Sequence, residues 1–150
     1  MCDLFGMSCN ESDRATRSLP RFSQFSSGNP DGWGIGWFEG NRAFVERAPE
    51  RADLDVFFED STQVARSHTI IAHLRHSTRG EPAQCNCHPF KHHHRGRDWL
   101  LAHNGWVNYV DDHPRSEGGT DSEQIFHQMM DKVAEYEQGM SGETAGCFTF

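Results

Sequence analysis

The chain has 150 residues, 14 basic and 22 acidic side chains and a net charge of −8 with histidine neutral. That balance disfavours nucleic acid and anionic membrane as partners, since both attract basic surfaces. The length suits one domain with a core of its own, and no apolar run is long enough to span a membrane.

The chain opens MCDLFGM. No basic segment precedes an apolar one, which excludes a signal peptide and makes the cytoplasm the expected compartment. The five cysteines (Cys2, Cys9, Cys85, Cys87, Cys147) form no regular framework and are expected to be reduced thiols. Cys2 has a chemical use that no internal cysteine has. Once Met1 is removed, it carries a thiol and a free α-amine, so nucleophile and base sit on one residue. An α-amine with a pKa of roughly 8 is partly neutral near pH 7 and can take the thiol proton. The plain alternative is an arbitrary small residue behind the initiator.

Residues 8–30 are polar with scattered aromatics and read as a long loop of the kind that borders a binding site. WGIGWF and RAFVER read as two strands joined at Glu39-Gly40-Asn41, a hairpin. Gly32, Gly34 and Gly36 alternate, as though one strand face must stay bare for close backbone approach. A short helix is expected within 50–67, with Leu54, Val56, Phe57 and Phe58 as its apolar side. SHTIIAHLRHST reads as a buried strand, 79–97 as a polar Gly/Pro/His-rich loop, and WLLAHNGWV as a strand that breaks at Asn104-Gly105. The clearest helix is TDSEQIFHQMMDKVAEYEQG: Thr120 and Glu123 have capping-box spacing, Ile125, Phe126, Met129, Met130, Val133 and Ala134 share a face, and Gly139 can end it. The closing AGCFTF looks like the start of another strand, which suggests a fragment of a longer protein.

Chemistry can sit at few places. In AHNG, the Asn104 side-chain amide and the Gly105 backbone N–H can point at one oxygen and stabilise an oxyanion. By itself this dipeptide is more often an ordinary turn. In LRHSTRG, Arg75 offers a planar fork and Thr78 a hydroxyl, which together suit a carboxylate; a salt bridge at a strand end is the plain alternative. Asp121, in the first turn of the helix, suits an ammonium group or merely the helix dipole. An arginine with an aspartate is what a free amino acid's α-carboxylate and α-ammonium require. Trp33, Trp37, Trp99 and Trp106 are expected in the core or pocket wall.

Taken in order, Cys2, NPDGWGIGW, AHLRHSTRG, NCHPF, AHNG and TDSE resemble the glutaminase domain of class II glutamine amidotransferases, which are N-terminal-nucleophile hydrolases. The resemblance is closest to small stand-alone members, including γ-glutamyl hydrolases, and runs from residue 2 to about residue 126. It implies an α+β fold, a four-layer αββα sandwich of two antiparallel sheets. The 150 residues would then be the N-terminal part of one amidotransferase domain, truncated at its C-terminus. It also implies roles: Cys2 as nucleophile with its α-amine as base, Asn104 and Gly105 as oxyanion hole, Arg75 and Thr78 on the substrate α-carboxylate, Asp121 on the α-ammonium, and His88 in a positioning role. Asp31-Gly32-Trp33-Gly34 would lie beneath the nucleophile strand. Arg79 departs from the pattern, because some members carry histidine there. No cofactor or metal is implied. The expected substrate is glutamine or a γ-glutamyl small molecule, with a separate synthase subunit as the possible ammonia acceptor.

The competing reading rests on CNCHPFKHHH, residues 85–94, which offers thiols and imidazoles to zinc. Its C-x-C spacing is not that of a zinc knuckle, and consecutive histidines cannot all face one ion. The bland reading is a polar loop over the site. A non-catalytic interaction domain that uses Cys2 only incidentally is the remaining alternative.

Overall fold

The computed structural model describes residues 1–108 and 110–145, with side chains described as far as residue 140. Strand β1 (Asp3–Asp13) is followed by the short helix α1 (Ser18–Ser23) and a 3-10 turn. The hairpin β2 (Trp33–Glu39) and β3 (Arg42–Ala48) leads into helix α2 (Val56–Val64) and strand β4 (Ser67–Leu74). A second hairpin, β5 (Phe90–His94) and β6 (Arg97–Leu101), precedes the long helix α3 (Asp121–Ala145).

The strands form two antiparallel sheets among the described residues, one in the order β1-β4-β2-β3 and one made of β5-β6. The core of the larger sheet holds Trp33, Ile35, Trp37, Ile70, Ala72 and Leu74, capped by Leu19 and Phe22 of α1 and Phe58 of α2. A second apolar cluster, Phe90 with Phe126 and Met130, seats α3 on β5. Asp55 fixes α2 from both sides: its side chain accepts from the Phe57 N–H as the N-cap and from Trp33 Nε1 at 2.7 Å.

The bare face of β2 is where the two sheets meet. A Cβ on Gly34 would lie 2.0 Å from the His88 carbonyl oxygen, one on Gly32 2.4 Å from Cys87 Sγ, and one on Gly36 2.8 Å from Leu100 and Pro89. Asp98 is a second tie between the sheets. Its N–H donates to Asn41 O, and its carboxylate accepts from Ala43 N–H at 2.8 Å and pairs with Lys91 and His93.

Several expectations change. Residues 8–30 are not one long loop: 8–13 are the far half of β1, across an irregularity in its pairing with β4 between Ser8 and Asp13, and 18–27 form α1 and the 3-10 turn. The polar side chains of 8–13 face solvent on an edge strand, so composition alone reads as a loop. FKHHH is strand β5, its histidines alternating along a hairpin that turns at Arg95-Gly96, both with positive φ. On α2, only Phe58 of the expected apolar side is buried; Val56 and Phe57 are exposed, and Leu54 precedes the helix. β6 ends at Leu101, and α3 runs through Gly139 to Ala145. The Glu123 carboxylate accepts from the Glu117 and Gly118 N–H groups, while Thr120 Oγ1 accepts from Glu123 N–H, half of the expected capping box. Most of AGCFTF lies outside the described residues.

Candidate active site

Cys2 stands just beyond the point where β1 pairs with β4, at the Asp3–Leu74 pair. Its Sγ accepts the His76 backbone N–H at 3.2 Å and lies 3.3 Å from the His76 carbonyl oxygen. Around the sulfur is a cleft of ≈ 640 Å³, lined by Met1, Cys2, His76, Thr78, Arg79, Gly105, Trp106 and Asp121.

The sequence stretches singled out for chemistry converge here from three directions. The loop after β4 brings His76, Thr78 and Arg79, the segment after β6 brings Gly105 and Trp106, and the first turn of α3 brings Asp121. Gly105 has φ 139°, a backbone conformation that side-chain-bearing residues rarely adopt, with the His103 ring against it. Asn104 does not line the cleft; its Nδ2 donates to the Cys2 carbonyl at 2.8 Å and so ties the turn to the nucleophile. Asp121 accepts from Val107 N–H at 2.6 Å and from Ser122 N–H at 3.0 Å, which among the described residues leaves each oxygen a further lone pair.

Arg75 is placed differently from the expectation. It is 3% exposed and does not line the cleft. Its guanidinium donates to the carbonyls of Arg79 and Gly80 at 2.9 Å, to Ser77 Oγ at 3.2 Å, and more weakly to Glu81 O and Asp31 O. Asp31 completes this loop by accepting the Ser77 N–H at 2.6 Å. Arg75 therefore builds the loop that carries Thr78 and Arg79.

His88 also lies below the cleft rather than in it. Its ring packs 4.3 Å from that of His73, centroid to centroid, and none of the four ring nitrogens makes a hydrogen bond among the described residues. Burial pushes His88 down to about 2 and His73 down to about 4, the latter against the upward pull of the Asn104 side chain. Both are neutral at physiological pH, so neither is a proton carrier there.

The Cys/His-rich segment is dispersed. Cys87 is buried and its thiol is pushed up to about 11 by desolvation. His92 meets His127, His93 meets Asp98 and His94 meets Glu137. Among the described residues no group of three His, Cys, Asp or Glu side chains is arranged to hold a metal ion.

Sequence reasoning did not find His76, because the contribution is a backbone N–H. Arg79 was visible as a cation between Thr78 and Gly80 but only as a departure. Trp106 was read as core or wall, and it is wall, 72% exposed.

Cys2 faces a cleft bordered by the Gly105 turn and by Asp121 of α3. The chain belongs to the class-II glutamine amidotransferases: the sequence model of that family matches residues 1–147. It is 32% identical over its whole length to "Putative glutamine amidotransferase YafJ" of Escherichia coli K12, of which it spans 62%. It is 38% identical, over 63% of its length, to 40% of the γ-glutamyl-hercynylcysteine sulfoxide hydrolase of Mycobacterium tuberculosis. A solved structure described as a predicted glutamine amidotransferase, from Pseudomonas aeruginosa, superposes on 83% of the chain with a TM-score of 0.52 and 27% identity, over 52% of that chain. The chain thus spans about half the length of these relatives.

Proposed function

We propose that this protein hydrolyses the side-chain amide of a γ-glutamyl compound through a thioester on Cys2, within a four-layer N-terminal-nucleophile fold. The observation that carries the reading is the Cys2 sulfur in the cleft, 3.2 Å from the His76 N–H, with Gly105 and Asp121 in the same wall.

In the unprocessed chain the Cys2 nitrogen is part of a peptide bond and cannot act as base. Met1 is 97% exposed and lines the cleft, so its removal is sterically open, frees the amine and widens the site. The amine then takes the thiol proton as Sγ attacks the amide carbon. Negative charge develops on the amide oxygen, to be met by Gly105 N–H and Asn104 Nδ2 once the latter leaves the Cys2 carbonyl. The C–N bond breaks, the amine base returns its proton to the leaving nitrogen, and a γ-glutamyl thioester remains. Water, deprotonated by the same amine, releases glutamate and regenerates the thiol. Asp121 takes the substrate ammonium.

The ≈ 640 Å³ cleft is in the range that takes drug-sized ligands, well beyond free glutamine. This supports a γ-glutamyl amide with a substantial amine portion, placed against Trp106. The test is hydrolysis of γ-glutamyl anilide and of glutamine by protein whose loss of Met1 is verified by intact mass. The expected result is higher kcat/KM for the anilide, abolished when a glutamine-like diazo ketone forms a single adduct on Cys2. No turnover of either substrate, or activity that survives Cys2→Ala, overturns the reading.

A further inference from the structure

We propose that Asn86 is a positioning residue that sets the gap between two walls of the cleft, and with it the affinity for the γ-glutamyl head; this rests on the reading that the cleft takes a γ-glutamyl group. One wall is the loop after β4, which carries Thr78 and Arg79; the other is the first turn of α3, which carries Asp121. The segments that lead into these walls, residues 75–81 and 115–120, lie outside any strand or helix. A substrate that touches both walls needs them held at a fixed separation.

Asn86 does not itself line the cleft. It is 5% exposed, and its side-chain amide bonds to both segments at once. Nδ2 donates to the Glu81 carbonyl at 2.9 Å, in the loop that carries Thr78. Oδ1 accepts the Gly119 N–H at 2.8 Å, just ahead of Asp121. A primary amide supplies a donor and an acceptor from one short side chain, which neither a carboxylate nor an aliphatic group does. The fit is close on both sides. A Cβ on Gly80 would lie 3.0 Å from Asn86 Nδ2, and one on Gly118 2.3 Å from Asn86 Oδ1. Each segment is tied in turn to its own surroundings. The Glu81 carbonyl also accepts from Arg75 Nη1 at 3.3 Å, and the Gly118 N–H donates to the Glu123 carboxylate at 2.8 Å. The Asn86 amide thus couples the loop built around Arg75 to the start of α3.

The test separates binding of the head from chemistry at Cys2, in protein that has lost Met1. Asn86→Asp keeps the acceptor for the Gly119 N–H and turns a lone pair toward the Glu81 carbonyl. Gly118→Ala leaves Asn86 in place and presses a methyl against its Oδ1. Both variants are expected to raise KM for γ-glutamyl anilide and to weaken L-glutamate in calorimetric titration, each by about 10-fold or more, with kcat kept within about 3-fold. Alkylation of Cys2, read by peptide mass, should slow with the glutamine-like diazo ketone, which carries the α-amino acid head. It should keep its rate with iodoacetamide, which carries none; a general loosening of the fold would alter both rates. The assignment is overturned by a fall in kcat at constant KM, by equal changes with the two alkylating reagents, or by variants that bind L-glutamate as the wild type does. Wild-type protein that does not bind L-glutamate, or loss of the cooperative urea transition in both variants, overturns it as well. Weaker L-glutamate binding in the variants of a protein that hydrolyses no γ-glutamyl amide keeps the assignment and overturns the hydrolase reading instead.

Discussion

Each residue of the site is defined by which of its polar atoms are free. Asn104 holds the Cys2 carbonyl, while Gly105 offers its backbone at the cleft with a φ of 139° that glycine tolerates. If Asn104 serves the oxyanion as proposed, removing its amide should lower kcat on the order of 100-fold or more. Asn104→Ala should show that loss in steady-state turnover with an unchanged far-UV spectrum, and near-normal turnover would remove Asn104 from this role. Residue type and order single out Cys2, Gly105, Thr78 and Asp121, and the structure brings these four to one cleft. The fate of Arg75 was not, because a side chain's partners come from the loop it folds into, and a sequence does not list the carbonyls that will surround a guanidinium.

At the scale of elements, periodicity served where a face is buried. The hairpin of β2 and β3, the buried strand β4 and the amphipathic face of α3 are apolar at the expected period, and each forms. It failed at β1 and β5, whose ordered strands carry polar and histidine side chains because one face meets solvent. The alternating glycines were read as a bare face, and the structure supplies the reason: the chain at Cys87–Pro89 lies directly against them. Gly34→Ala would drive a methyl into the His88 backbone carbonyl, which cannot swing aside as a flexible side chain would. A loss of at least about 2 kcal/mol is expected in urea unfolding. Because the His88 ring packs edge-on against His73, which interacts with Asn104, turnover should fall with it.

The molecule as a whole should respond to acid earlier than its carboxylates alone would dictate. His73 and His88 are held neutral, with folded pKa values near 4 and 2 against 6.5 for a free imidazole. His92 and His127 are also shifted down, chiefly by burial. The unfolded chain therefore binds more protons below pH 6.5. The stability these groups contribute is whole above that pH and is lost as pH falls through 4 and then 2. Between pH 6.5 and 4 the slope should be about 1.4 kcal/mol per pH unit for each buried imidazole. Chemical denaturation at stepped pH should show it, and His73→Leu should flatten it; an equally steep curve in that variant would show that His73 does not carry the effect. The two sheets meet over the glycine face of β2, and any residue but glycine adds an atom where another backbone or side chain already stands. A chart of tolerated substitutions along this chain would therefore carry blank columns at 32, 34 and 36 beside the one at Cys2, although none of those glycines lines the cleft. Intolerance of change here traces the seam between sheets as sharply as it traces the chemistry.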